Sequence, residues 1–395
     1  MTADVRVAGV GMVPFSKPSA GEQYDDMAER AIVAAVEDSG LTLADVQQAY
    51  AGYVYGDSTC GQAALYRVGM TGVPVVNVNN NCASGSSALW LARQAVASGA
   101  VDVALAFGFE QMQRGALVEH WQDRISPLSR FETRREELMG PGPDGVPMAA
   151  RFFGGAGLAH MERFGTTPEA FARIAVKARQ HAANNPYAVF RDTVTLDEVL
   201  ASPTIFGPLT RLQCCPPTAG GAAVVLVSAD YAARKGLSAK VRVAGQALTT
   251  DEPSTFTGDM RHLVGYDIAV KAAQAAYDQA GIGPDDIPVV ELHDCFTANE
   301  LVTYEALGLT PEGTAEKFIL DGDNTYGGRV VTNPSGGLLS KGHPLGATGL
   351  AQCAELTWQL RGTAGPRQVE GAKVALQHNL GLGSACVVTV YQSVD

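Results

Sequence analysis

Charge is scarce in this 395-residue sequence: only 18% of its residues are Asp, Glu, Lys or Arg, against ~25% in an ordinary soluble chain. So little polar surface predicts that another subunit covers part of the outside. What charge there is leans acidic, 29 Lys and Arg against 41 Asp and Glu for a net −12, and no dense run of Lys or Arg is present. A face that neutralises phosphates is therefore missing, which excludes a nucleic-acid partner. No apolar stretch approaches the ~20 residues that cross a bilayer; Gly220 to Val227 and Cys386 to Val390 are the longest, so no membrane span is expected. The start, MTADVRVAGV, lacks the basic, apolar and small-residue sections of a secretory leader, and the end, QSVD, lacks a peroxisomal tripeptide. The expected location is cytoplasmic.

Cysteine pairs at metal spacing are absent too. Seven cysteines (60, 82, 214, 215, 295, 353 and 386) contain no C-x-x-C, and an odd set in a long, apolar-rich chain reads as reduced thiols. His293-x-Cys295 has no second close pair, so no metal is expected. Gly9-Val10-Gly11 lacks the third glycine and the following acid of a dinucleotide site, which excludes a Rossmann cofactor. Glycine and proline, 44 and 20 residues, stay well under the ~25–30% of disordered or fibrous chains.

What is present is a duplication. Val5-Arg6-Val7-Ala8-Gly9 recurs as Val241 to Gly245, and Ala34 to Val46 (AAVEDSGLTLADV) lines up with Ala275 to Ile287 (AAYDQAGIGPDDI). Each is a helix end, a glycine and a turn into an apolar strand. In the first half, VPVVNV leads to NNNCASGSS and a helix with Leu89, Ala92 and Val96 on one face. In the second, NPSGGLLSKGHPLGATG leads to a helix with Leu350, Ala354 and Leu360 inward. Cys82 and His343 thus occupy matching places. The alternation of strands and helices argues for an α/β fold with a mostly parallel sheet. Residues 116–205 differ in character, nearly balanced in charge, and the tract Met139 to Pro147 predicts an irregular lid with short helices. The expected organisation is 1–115 plus 206–236, an inserted loop domain 116–205, and 237–395.

Cys82 stands just before a helix start, where backbone N–H groups and the helix dipole favour an anion and lower a thiol pKa; the small residues Ala83 to Ser86 leave room for a substrate. A nucleophile is the functional reading, a buried thiol the bland one. His343 lies in a glycine-rich loop. His293 and Cys295 follow the strand VVEL at its carboxyl end, where open sheets bind ligands, with Thr297 and Glu300 read as a capping box for the next helix. Gln377 to Gly383, with His378, Gly381 and Gly383, offers turned backbone N–H groups suited to an oxyanion. Cys214, Cys215, Cys353 and Cys386 read as structural thiols.

NNNCASGSSAL around Cys82, ELHDCFTANEL around His293, SGGLLSKGHPLGATGLAQ around His343 and QHNLGLGSACVVT around His378 together resemble the thiolase superfamily. Within it they are similar to the thiolase part of sterol carrier protein x and to bacterial lipid-transfer-protein-like thiolases. The resemblance implies a thiolase fold, two duplicated βαβαβαββ halves in five α/β/α/β/α layers with an inserted loop domain over coenzyme A, and a homodimer or dimer of dimers. It implies Cys82 as acyl-accepting nucleophile, His343 as the base that takes its proton and then holds the thioester oxyanion, and His293 where many thiolases have Asn. His378 stands where most thiolases carry their acid/base cysteine, and Cys295 is the substitute. The N–H of Cys82 with one from the Leu380 to Gly383 turn would form a second oxyanion hole, and Ser335 is a further candidate for binding coenzyme A. No bound cofactor is implied; acyl-CoA and coenzyme A are substrates. The usual Ser-Asp-Gly-Ala reads Thr218-Ala219-Gly220-Gly221. The expected activity is thiolysis of a bulky, branched, sterol-side-chain or long-chain 3-oxoacyl-CoA. The alternatives are a steroid side-chain retro-aldolase with a small OB-fold partner, and a non-catalytic acyl-CoA or lipid carrier.

Overall fold

The computed structural model describes residues 3–113, 121–383 and 385–394. The apolar runs of the sequence become strands β1 (Val5–Met12), β2 (Gln48–Gly52), β3 (Val75–Val78), β4 (Val103–Glu110), β5 (Thr204–Phe206), β6 (Leu209–Thr210), β7 (Gly220–Ser228), β8 (Val241–Thr249), β9 (Val289–Glu291), β10 (Val331–Thr332), β11 (Val374–Gly381) and β12 (Ala385–Ser393). Ten form one sheet in the order β10-β9-β11-β12-β8-β1-β7-β4-β2-β3, and β5 with β6 a separate hairpin. The order mirrors the duplication. The strands that carry the repeated Val-Arg-Val-Ala-Gly, β1 and β8, pair antiparallel at the centre, with Arg6 opposite Arg242 and Val7 opposite Val241.

In each half the outer strands run parallel, β3-β2-β4 and β10-β9-β11. The pairs between β4 and β11, running inward through β7, β1, β8 and β12, are antiparallel. The expected mostly parallel sheet is thereby corrected to a mixed one. Val103–Glu110 and Gly220–Ser228 are buried along their whole length, and such runs lack the in–out alternation that distinguishes a half-exposed antiparallel strand from a fully covered parallel one.

Helices Tyr24–Ser39 and Cys60–Val68 cover the outside of the first half and Tyr266–Ala280 that of the second, while Ser84–Ala97 and Leu345–Arg361 pack on each other between the halves. The result is five layers of helix and sheet, the arrangement that the resemblance implies. The inner helices meet where side chains are missing. A Cβ at Gly85 would come within 2.5 Å of the Gly346 carbonyl oxygen, and one at Gly108 within 2.1 Å. Real Cβ atoms do not approach so closely, so these glycines set the distance between the halves.

Helices Ser129–Met139, Met148–Phe164, Pro168–Ala182 and Leu196–Ala201 lie between β4 and β7. The expected irregular lid is corrected: two of these helices run 17 and 15 residues. The Gly/Pro tract interrupts only the link between Ser129–Met139 and Met148–Phe164, and Phe152, Phe153, Phe171 and Ile174 join one core with Ala298, Leu301 and Tyr304 of the second half, which supplies the tertiary packing that most helices depend on. The expected boundary at residues 115 and 116 lies outside the described residues. Among those described, no helix is long and apolar enough to cross a membrane.

Gly108→Ala forces a methyl against the Gly346 backbone. It is expected to destabilise the chain by about 1–3 kcal/mol, read from urea unfolding. An unchanged midpoint would show that the halves are not held at this contact.

Candidate active site

Cys82 ends the loop after β3. Ser84 builds its turn: the hydroxyl donates to the Asn81 carbonyl at 2.7 Å and accepts the Asn80 N–H at 2.9 Å. Asn81 holds a left-handed φ of 51°, which Asn adopts more readily than most residues. The helix begins at Ser84, so the sulfur precedes its first turn as the spacing suggests. Its pKa is nevertheless pushed up to about 12, by burial first and the Glu110 carboxylate second, against the backbone N–H groups of Leu382 and Cys82. The expected lowering is corrected. Removing water from a thiolate costs more here than the helix start returns.

His343 arrives from the second half. Its backbone N–H donates to Thr218 Oγ1 at 3.2 Å, and its Nδ1 lies 2.7 Å from Thr348 Oγ1. The Thr348 hydroxyl gives its own proton to the Pro344 carbonyl at 2.9 Å, so it can only accept from the ring. Neutral His343 therefore carries its proton on Nδ1 and leaves a lone pair on Nε2. That nitrogen is buried without a partner among the described residues. Burial lowers the ring to about 3, so it is neutral and available as a base.

His293, just past β9, accepts from Asn379 Nδ2 at Nδ1, 3.0 Å away. Its backbone N–H donates to His378 Nδ1 at 3.4 Å. Burial, with His343 and His378 adding to it, holds its pKa well below that of an ordinary imidazole. The His293 and His343 rings stand edge to face, centroids 5.0 Å apart at 84°. Cys82 Sγ and one nitrogen of each ring all lie within 4.8 Å of one another. A thiol and two neutral imidazoles are also donors that zinc takes; a metal there would occupy the sulfur and leave no nucleophile.

The other candidates are placed at different distances from this cluster. Cys295 is buried, and its thiol is held well above its ordinary value by burial, then by Cys215 and Cys82. It is thus an electrostatic neighbour of the nucleophile outside the three-atom group. His378 is buried beside His293, lowered to about 3 by desolvation, and among the described residues its Nε2 has no partner. Gly381 abuts the nucleophile loop, since a Cβ there would lie 2.2 Å from the Asn80 carbonyl oxygen; Gly383 turns the chain at a φ of 86°. Ser335 is engaged elsewhere: its hydroxyl and N–H both go to Glu291, at 2.8 and 3.0 Å. The expected capping box is corrected as well, because Thr297 Oγ1 accepts from Gln213 at 3.2 Å and Glu300 pairs with buried Lys177.

Two neighbours of the cluster carry no mark in the sequence. Cys215, read as structural, donates its N–H to the Cys295 carbonyl at 2.9 Å. Glu110, one acid at the end of an apolar strand, accepts the N–H groups of Val54, Tyr55 and Gly346 at 3.1, 2.9 and 3.0 Å. It ties the loop after β2 to the helix that follows His343. Burial raises it from 4.5 to about 7 despite those donors.

Two outcomes follow from these charges. The Cys82–His343 pair rests as thiol and imidazole, so iodoacetamide labelling of Cys82 is expected to rise with pH well beyond 8; a plateau between pH 5 and 8 would instead reveal a thiolate–imidazolium pair. Because folding raises the Glu110 pKa, the folded chain binds that proton more tightly and stability from this group falls as pH climbs from about 4.5 to 7. Glu110→Gln is expected to remove that part of the pH dependence in urea titrations, and an unaltered slope would contradict it.

Comparison with known proteins agrees with the geometry. Residues 5–230 match the family described as "Thiolase, N-terminal domain", and residues 251–393 the one described as "Thiolase C-terminal domain-like". The chain is 52% identical to "Sterol carrier protein 2" of Rattus norvegicus, over 98% of this chain and 72% of that protein. It is 36% identical to "Benzoylsuccinyl-CoA thiolase subunit BbsB" of Thauera aromatica, over 96% and 95%. A solved "Ltp2-ChsH2(DUF35) aldolase" is similar with a TM-score of 0.82 and 26% identity, over 99% and 98%. With two halves matched in order and their motifs meeting at one sulfur, the chain belongs to the thiolase family.

Proposed function

We propose that this chain is a 3-oxoacyl-CoA thiolase that works through an acyl-Cys82 intermediate on a bulky, branched, sterol-side-chain or long acyl chain. The observation that carries the proposal is the meeting of Cys82 Sγ with two neutral imidazoles within 4.8 Å. A soft nucleophile, a free base nitrogen and a donor are what cleavage next to a ketone requires.

His343 Nε2 takes the Cys82 proton as the sulfur attacks the 3-oxo carbon. The alkoxide is held by the resulting His343 N–H and by His293. The C–C bond breaks with its electron pair on the departing acetyl-CoA enolate, which Cys295 protonates. The Cys295 thiolate then removes the proton of coenzyme A, whose sulfur attacks acyl-Cys82. The second oxyanion faces the N–H groups of Cys82 and Leu382, and collapse expels the Cys82 thiolate, which recovers its proton from His343. Each oxyanion donor contributes on the order of 3 kcal/mol. A raised thiol pKa suits Cys295, because a carbanion needs a proton source that stays protonated until the enolate forms.

The likeness to an aldolase supports a second reading, retro-aldol cleavage with a small partner subunit. That reaction needs no acyl-enzyme. Incubation with a 3-oxoacyl-CoA followed by peptide mass analysis is expected to show an acyl increment on Cys82, with thiolysis abolished in Cys82→Ala and kept in Cys353→Ala. An unacylated Cys82, or equal activity in both variants, would favour the aldolase or a carrier.

A further inference from the structure

The two imidazoles beside Cys82 are chemically alike, and a neutral ring offers a donor at one nitrogen and an acceptor at the other. Thr348 assigns His343. The assignment of His293 can be traced through a chain of buried polar side chains whose direction is anchored at a backbone carbonyl.

The Gly349 carbonyl oxygen can only accept, so the Gln377 group 2.6 Å from it is the amide NH2. Gln377 Oε1 consequently accepts from the Tyr391 hydroxyl at 2.5 Å, and Gln377 Nε2 also donates to Ser86 Oγ at 2.9 Å. The Ser86 hydroxyl proton is left for Asn379 Oδ1, 2.8 Å away. Asn379 then presents its NH2 to His293 Nδ1 at 3.0 Å. All four relay side chains are fully buried, so water cannot exchange for any link. Gln377 and Asn379 are two apart on β11 and share a face; Ser86 reaches them from the inner helix of the other half.

We propose that Tyr391, Gln377, Ser86 and Asn379 form a polarity relay that holds neutral His293 with its proton on Nε2, making Asn379 the positioning residue that keeps His293 an oxyanion donor while His343 serves as base. The inference rests on the acyl-Cys82 reading for its catalytic meaning, though the tautomer itself does not. A second lone pair facing the alkoxide would repel it, and in serine proteases the wrong imidazole tautomer costs about 10⁴ in rate.

Asn379→Asp tests this with little change in size. A carboxylate can only accept, so it draws the His293 proton to Nδ1 and removes the donor. The titratable groups facing His293 are His343, His378 and Cys82, and the new carboxylate outweighs them by raising the ring's pKa. The expected result at pH 8 is a kcat loss on the order of a hundredfold with KM within about threefold. kcat should recover as pH falls, because the doubly protonated ring donates from Nε2 again. A loss that is the same at every pH would assign Asn379 a packing role and overturn the proposal. Long-range ¹H–¹⁵N spectra of the ¹⁵N-histidine-labelled wild-type chain, assigned against His293→Gln, give a readout independent of turnover. The proton on Nε2 supports the relay, and the proton on Nδ1 sinks it. If the tautomer is as proposed while Cys82→Ala keeps full activity, the relay stands and the thiolase reading fails.

Discussion

The contact between the two halves governs the rest of the molecule. Cys82 belongs to the first half and His293, Cys295 and His343 to the second, so the cluster around Cys82 does not form until the inner helices close on each other. Closure depends on backbone touching backbone. Gly85 and Gly108 meet the Gly346 carbonyl, and a Cβ on Gly349 would overlap Ser86 Oγ at 2.0 Å. Glu110 adds a polar clasp across the same seam through its bond to the Gly346 N–H.

Dryness follows from that closeness and sets the electrostatics. The thiol is driven up and the imidazoles are driven down for one reason, the loss of water around the charged form. The resting site is therefore uncharged where the chemistry occurs. Under the proposed thiolase reading, charge appears only as the substrate reacts, and it then meets preorganised donors in a medium that strengthens them. Under the same reading, neutral imidazoles leave tautomers as the means of dividing labour, and the proposed relay has the buried hydroxyls and amides around them select those tautomers.

Much of this was legible in the sequence because it is local or repeated. The pentapeptide shared by β1 and β8 revealed the duplication, and matching strand-to-helix turns put Cys82 and His343 at equivalent places. His293 and Cys295 stood out at a strand tip. What was not legible depends on partners far along the chain. Glu110 finds Gly346 across 236 residues, and Ser86 finds Asn379 across 293. Neither spacing leaves a trace in local pattern. The direction of the Cys82 pKa is hidden for the same cause: a helix start is visible in sequence, whereas desolvation belongs to the assembled fold. Antiparallel pairing of β4 with β7 was hidden because a strand buried on both faces has no alternation to read.

The central claim is that closure of the halves creates one acylable sulfur per chain. Rapid mixing of the protein with a 3-oxoacyl-CoA in the absence of free coenzyme A measures it directly. The account predicts a burst of one acetyl-CoA per chain that then stops until coenzyme A is added. Absence of a burst, or the same burst from protein whose Cys82 has been replaced by alanine, would contradict it.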